Sequence, residues 1–431
     1  MSYSATGPGA VSDTTRQANA VSFAFFLVIL TALVIRICVT PAILDEVYDY
    51  VREGGAFYEK IHVGTYLLLL LLPVALFSRP VFLRGDEIVK FRDLVRFCGL
   101  LALLVVFLVA TGRAGSIGNL VDTYLVAGAV GLILLAQNPS YRRLIGDAVI
   151  LISLLSAAIA LFEVATRIRI FPYSEGEAAF RPIGLAGHPL NLGLICATTI
   201  GFVPMTNWKP WVKIAAMMLL FVATAAAGAR LALMVATLEV LALVLLVPWT
   251  SLSRPAERKA KLAVLTLMLV GGVALFAVLA SGGLLSRFAN GVVDDNFFAR
   301  TDVYKVFDYV TWQDVMFGTD AAEIIRIVND KLNLPFIESA PIDLTFQLGL
   351  LLAVPFALLV FWLIWRLLRH QPRAAWIGTT VFLLVALSNN TMSQKTTVVT
   401  LLVVLLVAYA GAVPSGALRE AGAARRRRSP Q

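Results

Sequence analysis

Ile61-His62-Val63-Gly64-Thr65-Tyr66-Leu67-Leu68-Leu69-Leu70-Leu71-Leu72-Pro73-Val74-Ala75-Leu76-Phe77-Ser78 carries no Asp, Glu, Lys or Arg, so it has no charged face to turn toward water. A helix needs roughly 20 predominantly apolar residues to cross about 30 Å of hydrocarbon, with a range that reaches down to about 17. Stretches of the same kind lie near 21–40, 94–111, 121–136, 145–165 and 183–204. The second half adds 211–227, 229–248, 261–281, 341–365, 374–390 and 396–413, some short enough for a re-entrant segment. The chain of 431 residues is 59% hydrophobic and 15% charged, with mean hydropathy +0.83. A soluble domain carries about 25% charged residues. The expected fold class is therefore all-α, a polytopic integral membrane protein with about 12 transmembrane helices.

Charge between the runs sets the orientation. With the N-terminus inside, the inward segments hold Arg16; Arg79, Arg84, Lys90, Arg92 and Arg96; Arg142 and Arg143; Lys209 and Lys213; Arg254, Arg258, Lys259 and Lys261; Arg366, Arg369 and Arg373; and Arg419 with Arg425 to Arg428. These are most of the 36 basic residues, and they sit in short loops as the positive-inside rule requires. The expected organisation is a cytoplasmic tail over 1–20, a first bundle of about nine helices over 21–281, and a large periplasmic loop over 282–340. Three last spans over 341–413 and a basic cytoplasmic tail over 414–431 complete it, the tail lying near anionic lipid. The polar first twenty residues and the long apolar run after them read as an uncleaved first span of a plasma-membrane protein.

The net charge of +9 raises nucleic acid as a partner, but the basic residues form short clusters between apolar runs rather than one stripe, so no nucleic acid is expected. Cys38, Cys98 and Cys196 lie in separate apolar runs and read as small buried hydrophobes. Walker A, GxGxxG, HExxH and GxSxG patterns are absent, and His62, His188 and His370 are far apart. ATP-driven, dinucleotide and zinc chemistry are disfavoured on that ground, and neither metal nor cofactor is expected.

Two outward segments break the charge pattern. The one over 282–340 is too long for a connector, and Asp302-Val303-Tyr304-Lys305-Val306-Phe307-Asp308-Tyr309-Val310 has a helical rhythm, which predicts short amphipathic helices on the outer surface. The other, 166–182, places Arg167, Arg169 and Arg181 where Arg is normally scarce, implying an anionic partner or acidic neighbours. Guanidinium grips phosphate bidentately, so such a set at a membrane boundary suits a lipid-linked phosphate or diphosphate.

Three segments resemble the O-antigen ligase and O-antigen polymerase superfamily of bacterial envelope enzymes. Arg181-Pro182-Ile183-Gly184-Leu185-Ala186-Gly187-His188-Pro189-Leu190-Asn191-Leu192-Gly193 looks like the family's Gly-x-x-x-His-Pro-Asn-x-x-Gly element behind an Arg. Gly228-Ala229-Arg230-Leu231-Ala232 is similar to its Ser-Arg turn between spans. From Arg300 to Gly349 the order resembles the family's Arg, long outer loop with a Phe-Gly turn (Phe317-Gly318), and His-Asn pair eleven residues before a Gly. Here Glu338 and Ser339 stand at the His-Asn place, which favours the polymerase over the ligase. The resemblance implies a polyprenyl-diphosphate-linked oligosaccharide as substrate, with Arg181, His188 and Arg230 binding it and Glu338 and Arg300 catalytic. It also implies a bacterial inner membrane, its lipid, and a chain-length regulator or other polysaccharide-assembly proteins as partners.

Each residue has a plainer reading beside this one. An Arg at a helix end snorkels or pairs on the surface, and His188 caps a broken helix. Glu163 stands four residues before Arg167 and is expected to pair with it along one helix face. Arg36 is expected to snorkel from its span, and Glu239 to serve in helix bundling. Asp343 is an alternative base to Glu338, whereas Asp294-Asp295 lacks further ligands for a metal. Trp208, Trp211, Trp249, Trp362, Trp365 and Trp376 are expected to form an interface belt. A transporter or flippase of lipid-linked oligosaccharide is the rival class; it lacks support from an internal repeat.

Overall fold

The computed structural model describes residues 13–51, 57–78, 81–173, 180–248, 253–281, 302–319, 321–334 and 337–410. Every regular element among them is helical. In chain order the main helices are α1 (Asp13–Cys38), α2 (Val63–Phe77), α3 (Asp86–Ala110), α4 (Ile117–Leu135) and α5 (Pro139–Thr166). Next come α6 (Pro189–Phe202), α7 (Pro210–Ala226), α8 (Arg230–Leu246) and α9 (Arg254–Ser281). Then follow α10 (Trp312–Phe317), α11 (Ala321–Leu332), α12 (Ala340–Leu348), α13 (Leu350–Leu368), α14 (Arg373–Leu387) and α15 (Val398–Ala408).

Among the described residues, five helices are long and apolar enough to cross a membrane: Ala20–Cys38 of α1, with α3, α4, α5 and α13. The apolar helices α2, α7, α14, α15 and the stretch Pro189–Met205 are shorter. The helices α3 and α13 turn Leu100, Leu103 and Val106, and Leu351, Val354 and Leu358, away from the protein. Rows of this kind require an apolar solvent. By contrast α4 is 94% buried over its apolar stretch, and every residue of α15 is buried. These two pack on each other at the centre, α15 also against α5, while α6 lies among α7, α8 and α14.

Local chemistry explains where the helices start and stop. Asn138 caps α5 by accepting the Ser140 N–H, with Pro139 in the first helical position where a missing donor costs nothing. The α5 helix ends at Arg167, whose φ of +60° is left-handed. Thr311 and Asp314 form a reciprocal capping box on α10. The run expected as one span over 341–365 is two helices, because Gly349 at φ +77° breaks it and lies against the backbone of Phe317 and Gly318. The segment after residue 301 supplies the expected short helices, with a turn over Val303–Asp308, α10 and α11, and its small core joins Val303, Val306, Val315, Ile324 and Val328 to Phe346 of α12.

The end of the bundle rich in Lys and Arg is tied by ion pairs. Arg142 of α5 bonds Glu87 of α3, Arg366 of α13 reaches Asp93 of α3 at 2.6 Å, and Lys90 pairs with Asp86 at 2.8 Å. Arg300, Asp294-Asp295, Trp249 and the basic tail from 414 onward lie outside the described residues.

Candidate functional site

At the opposite end, Ser388-Asn389-Asn390-Thr391-Met392-Ser393-Gln394-Lys395-Thr396-Thr397 joins α14 to α15. Asn389, Asn390, Thr391, Ser393 and Thr396 of this polar segment are buried. Buried polar groups need partners, and here the partners come from distant elements. The Thr391 hydroxyl donates to Asn191 Oδ1 of α6 at 3.2 Å, and the Asn389 carbonyl accepts the Ala340 N–H of α12 at 3.1 Å. Thr123 of α4 donates to the Gln394 carbonyl at 2.8 Å, and Gln347 of α12 donates to the Ser393 carbonyl at 3.4 Å. The Tyr124 hydroxyl donates to the Met392 carbonyl. This segment is therefore the hub through which α4, α6 and α12 meet.

One side of the hub is organised by Asp122, which lies in a widened π turn of α4 over Leu120–Leu125. Its carboxylate accepts the Tyr50 hydroxyl at 2.7 Å and the His62 N–H at 3.0 and 3.1 Å. Arg36 does not snorkel, as the sequence led us to expect: it is 2% exposed and donates to the Asp122 and Thr396 carbonyls. Those carbonyls lie within reach only because α1, α4 and the hub pack together. The Lys395 ammonium donates to the Tyr50 carbonyl at 2.7 Å and lies over the Tyr50 ring. Burial pushes that ammonium down to about 8, with Asp122 pulling it back.

A second buried acid, Glu163, shapes the Arg181 turn. Glu163 is fully buried, and its carboxylate accepts the N–H groups of Ile170 at 3.3 Å, Ile183 at 2.8 Å and Gly184 at 3.0 Å. The expected pairing of Glu163 with Arg167 is not formed. The helix stops at Arg167, whose guanidinium lies over the Phe180 ring, and three amides outcompete it for the carboxylate. Arg169 donates through Nε and Nη2 to the Arg181 carbonyl. Arg181, 8% exposed, donates through Nε to the Ala227 carbonyl at 2.9 Å, immediately before the Gly228-Ala229-Arg230 turn. Gly228 is in the left-handed region at φ +65°, and a β-carbon there would stand 3.5 Å from Arg181 Nε. Arg181 and the turn that starts α8 at Arg230 are thus brought together.

His188 is the cap of α6. Its Nδ1 accepts the Leu190 N–H at 3.1 Å, Pro189 takes the first helical position, and the ring faces Tyr173 at 6.1 Å between centroids. One turn on, Asn191 makes the bond to Thr391. Glu338 is half-buried and precedes α12 by two residues, beside the bond between Ala340 and Asn389. Asn191 and Ala340, which stand three and two residues after His188 and Glu338, thus bond the same hub segment.

No protein-family model, curated protein or solved structure matches this chain. The geometry alone speaks for the site. Asp343 of α12 borders a cavity of about 210 Å³ lined by Ile324, Ile325, Ile337, Phe346, Gln347, Asn390, Ser393 and Gln394. Gln347 Nε2 donates to Asp343 Oδ1 at 3.0 Å. Burial pushes the Asp343 carboxyl up to about 6, against the pull of the Ser393 hydroxyl and the Gln347 amide. Among the described residues no three His, Cys, Asp or Glu side chains are grouped to hold a metal ion. Sequence reasoning missed Asp122, Gln347 and the hub itself, and with the hub the bond from Thr391 to Asn191. The signal for the hub was available: nine of the ten residues from Ser388 to Thr397 are polar, between two apolar helices.

Proposed function

We propose that this protein is a glycan transferase of the O-antigen polymerase type, working on polyprenyl-diphosphate-linked oligosaccharide at the periplasmic face of the bacterial inner membrane. The observation that carries the reading lies at one end of the helical bundle, where Arg181 bonds the carbonyl of Ala227 before the Arg230 turn, His188 caps the helix whose Asn191 bonds Thr391, and Glu338 stands two residues before Ala340, whose N–H bonds Asn389. That end lies opposite the one where the Lys and Arg clusters sit, which on the positive-inside rule makes it the outer end and both termini cytoplasmic. About 12 spans then account for the apolar runs.

In this reaction an acceptor sugar hydroxyl loses its proton to a carboxylate, Glu338 by the resemblance, and its oxygen attacks the anomeric carbon of the donor glycan. The bond from that carbon to the diphosphate breaks, and its electron pair leaves on the diphosphate oxygen. Arg181, Arg230 and Arg300 stabilise the charge that develops there, and His188 helps to seat the substrate. Neither nucleotide nor metal enters the reaction.

The test is to place the full-length protein in lipid with a polyprenyl-diphosphate oligosaccharide and to follow glycan length. Extension that is lost in Arg300→Ala supports the reading, as does shortened polymer with intact repeat-unit export in a strain carrying that variant. Substrate that crosses between vesicle leaflets without extension makes the protein a flippase. Transfer of finished glycan to a lipid core instead makes it a ligase.

A further inference from the structure

The cavity beside Asp343 is lined by two kinds of group. Ile324 and Ile325 of α11, Ile337 and Phe346 contribute apolar and aromatic surface; Asp343, Gln347, Asn390, Ser393 and Gln394 contribute a carboxylate, amides and a hydroxyl. A pyranose asks for both, with C–H faces that lie on apolar or aromatic side chains and ring hydroxyls that demand hydrogen-bonding partners. At about 210 Å³ the space falls below the roughly 300 Å³ at which drug-sized sites begin, which suits one ring rather than an oligosaccharide. Its walls come from two independent parts of the chain, the outer segment after residue 301 and the buried hub.

We propose that this cavity is the acceptor subsite, taking the terminal pyranose of the acceptor glycan, with Asp343 rather than Glu338 receiving the proton of the attacking hydroxyl. The inference rests on the glycan-transferase reading and deepens it. The hydroxyl O–H bond breaks as its proton passes to an Asp343 oxygen. The freed oxygen forms the glycosidic bond to the donor's anomeric carbon, and the electron pair of the breaking C–O bond leaves with the diphosphate.

The surroundings of Asp343 fit that task. Its Oδ1 is held by Gln347, whose own backbone carbonyl is fixed by the Arg113 guanidinium at 3.3 Å and the Ser116 hydroxyl at 3.2 Å. A general base must be held within hydrogen-bond reach of its proton, and this scaffold holds it. Asp343 is the one acid or base among the described lining residues; Arg113 bonds the Gln347 carbonyl, Lys395 follows Gln394, and Arg326 and Glu338 follow the lining residues Ile325 and Ile337. With a carboxyl titrating at about 6, Asp343 is ionised at neutral pH yet more basic than a solvated Asp.

The experiment uses the full-length protein in lipid nanodiscs, a polyprenyl-diphosphate oligosaccharide as donor and acceptor, and single-turnover chain extension as readout. Asp343→Asn should slow extension at least about 100-fold while donor binding persists, and the rate that remains should lose the wild-type dependence on pH. Ile325→Trp, which fills the cavity from its apolar surface, should raise the acceptor KM at least tenfold and leave donor affinity unchanged. Wild-type extension rates in a folded Asp343→Asn protein overturn the proposal and return the proton to Glu338. Should Asp343→Asn not fold, an unchanged acceptor KM in Ile325→Trp overturns it instead. Absence of extension by the wild-type protein is a different result, and it defeats the transferase reading itself.

Discussion

The two ends of the bundle treat charge in opposite ways. At the end rich in Lys and Arg, acids meet bases: Glu87 holds Arg142, Asp93 holds Arg366 and Asp86 holds Lys90. At the site end, Glu163 is held by three backbone amides, Asp122 by a tyrosine hydroxyl and a backbone amide, and Asp343 by a side-chain amide. None of these three acids forms an ion pair among the described residues. An ion pair neutralises both partners and closes a structure, whereas a carboxylate held by neutral donors keeps its charge while shaping the chain around it. The first end locks α3 to α5 and α13; the second arranges loops.

Removing the shaping acid should have the largest effect. Glu163→Ala leaves three amides at the Arg181 turn without their acceptor, each costing about 1–3 kcal/mol, so unfolding in lipid should show a loss of at least about 3 kcal/mol. Chain extension should fall with it, because Arg181 loses its position. Wild-type stability in this variant would refute the distinction between the two ends.

The matching change at the other end should separate stability from chemistry. Arg142 is 2% exposed, so Arg142→Ala strands Glu87 at a cost of about 3 kcal/mol. The melting temperature should fall while extension, measured well below it, stays within about twofold of wild type. A specific loss of transfer would mean that the two ends are coupled.

Acidity sharpens the contrast further. Asp343 titrates at about 6, so its basic form and the extension rate should both decline about tenfold per pH unit as pH falls below about 6. The stability term has the opposite sense. A carboxyl raised above its unfolded value of about 3.9 adds stability that is complete below that pH and lost as pH rises through about 6. Asp343→Asn should therefore flatten both curves, which thermal melts and rate profiles over pH 4 to about 8 would record.

The smallest effect belongs to His188. Its capping bond is worth about 1 kcal/mol, which His188→Ala should lose and His188→Asn, a good cap, should regain. If activity does not return with the cap, the ring has a role beyond holding Leu190 and Pro189 in place.

How much of this was legible in the sequence differs by residue. The turn before Arg230 is legible because Gly228 sits where left-handed backbone is needed. Arg36 and Glu163 were misread for one shared reason. Their partners are backbone groups, the carbonyls of Asp122 and Thr396 and the amides of Ile183 and Gly184, which no residue type advertises. The hub from Ser388 to Thr397 is polar between two apolar helices, which the sequence shows, but the partners of that polarity lie far away in the chain.

What the sequence by itself determined is the helical membrane character and the placing of the helices, because apolar length, caps and glycine breaks act over a few residues. Each apolar run carries a helix, and only the run over 341–365 is divided, at a glycine. Tertiary structure alone decided which helices are central, which acids shape loops, and which walls enclose the cavity beside Asp343. Those outcomes depend on groups far apart in the chain, such as Thr391 with Asn191 and Arg36 with Thr396, and a buried polar group takes whichever partner the packing brings within about 3 Å.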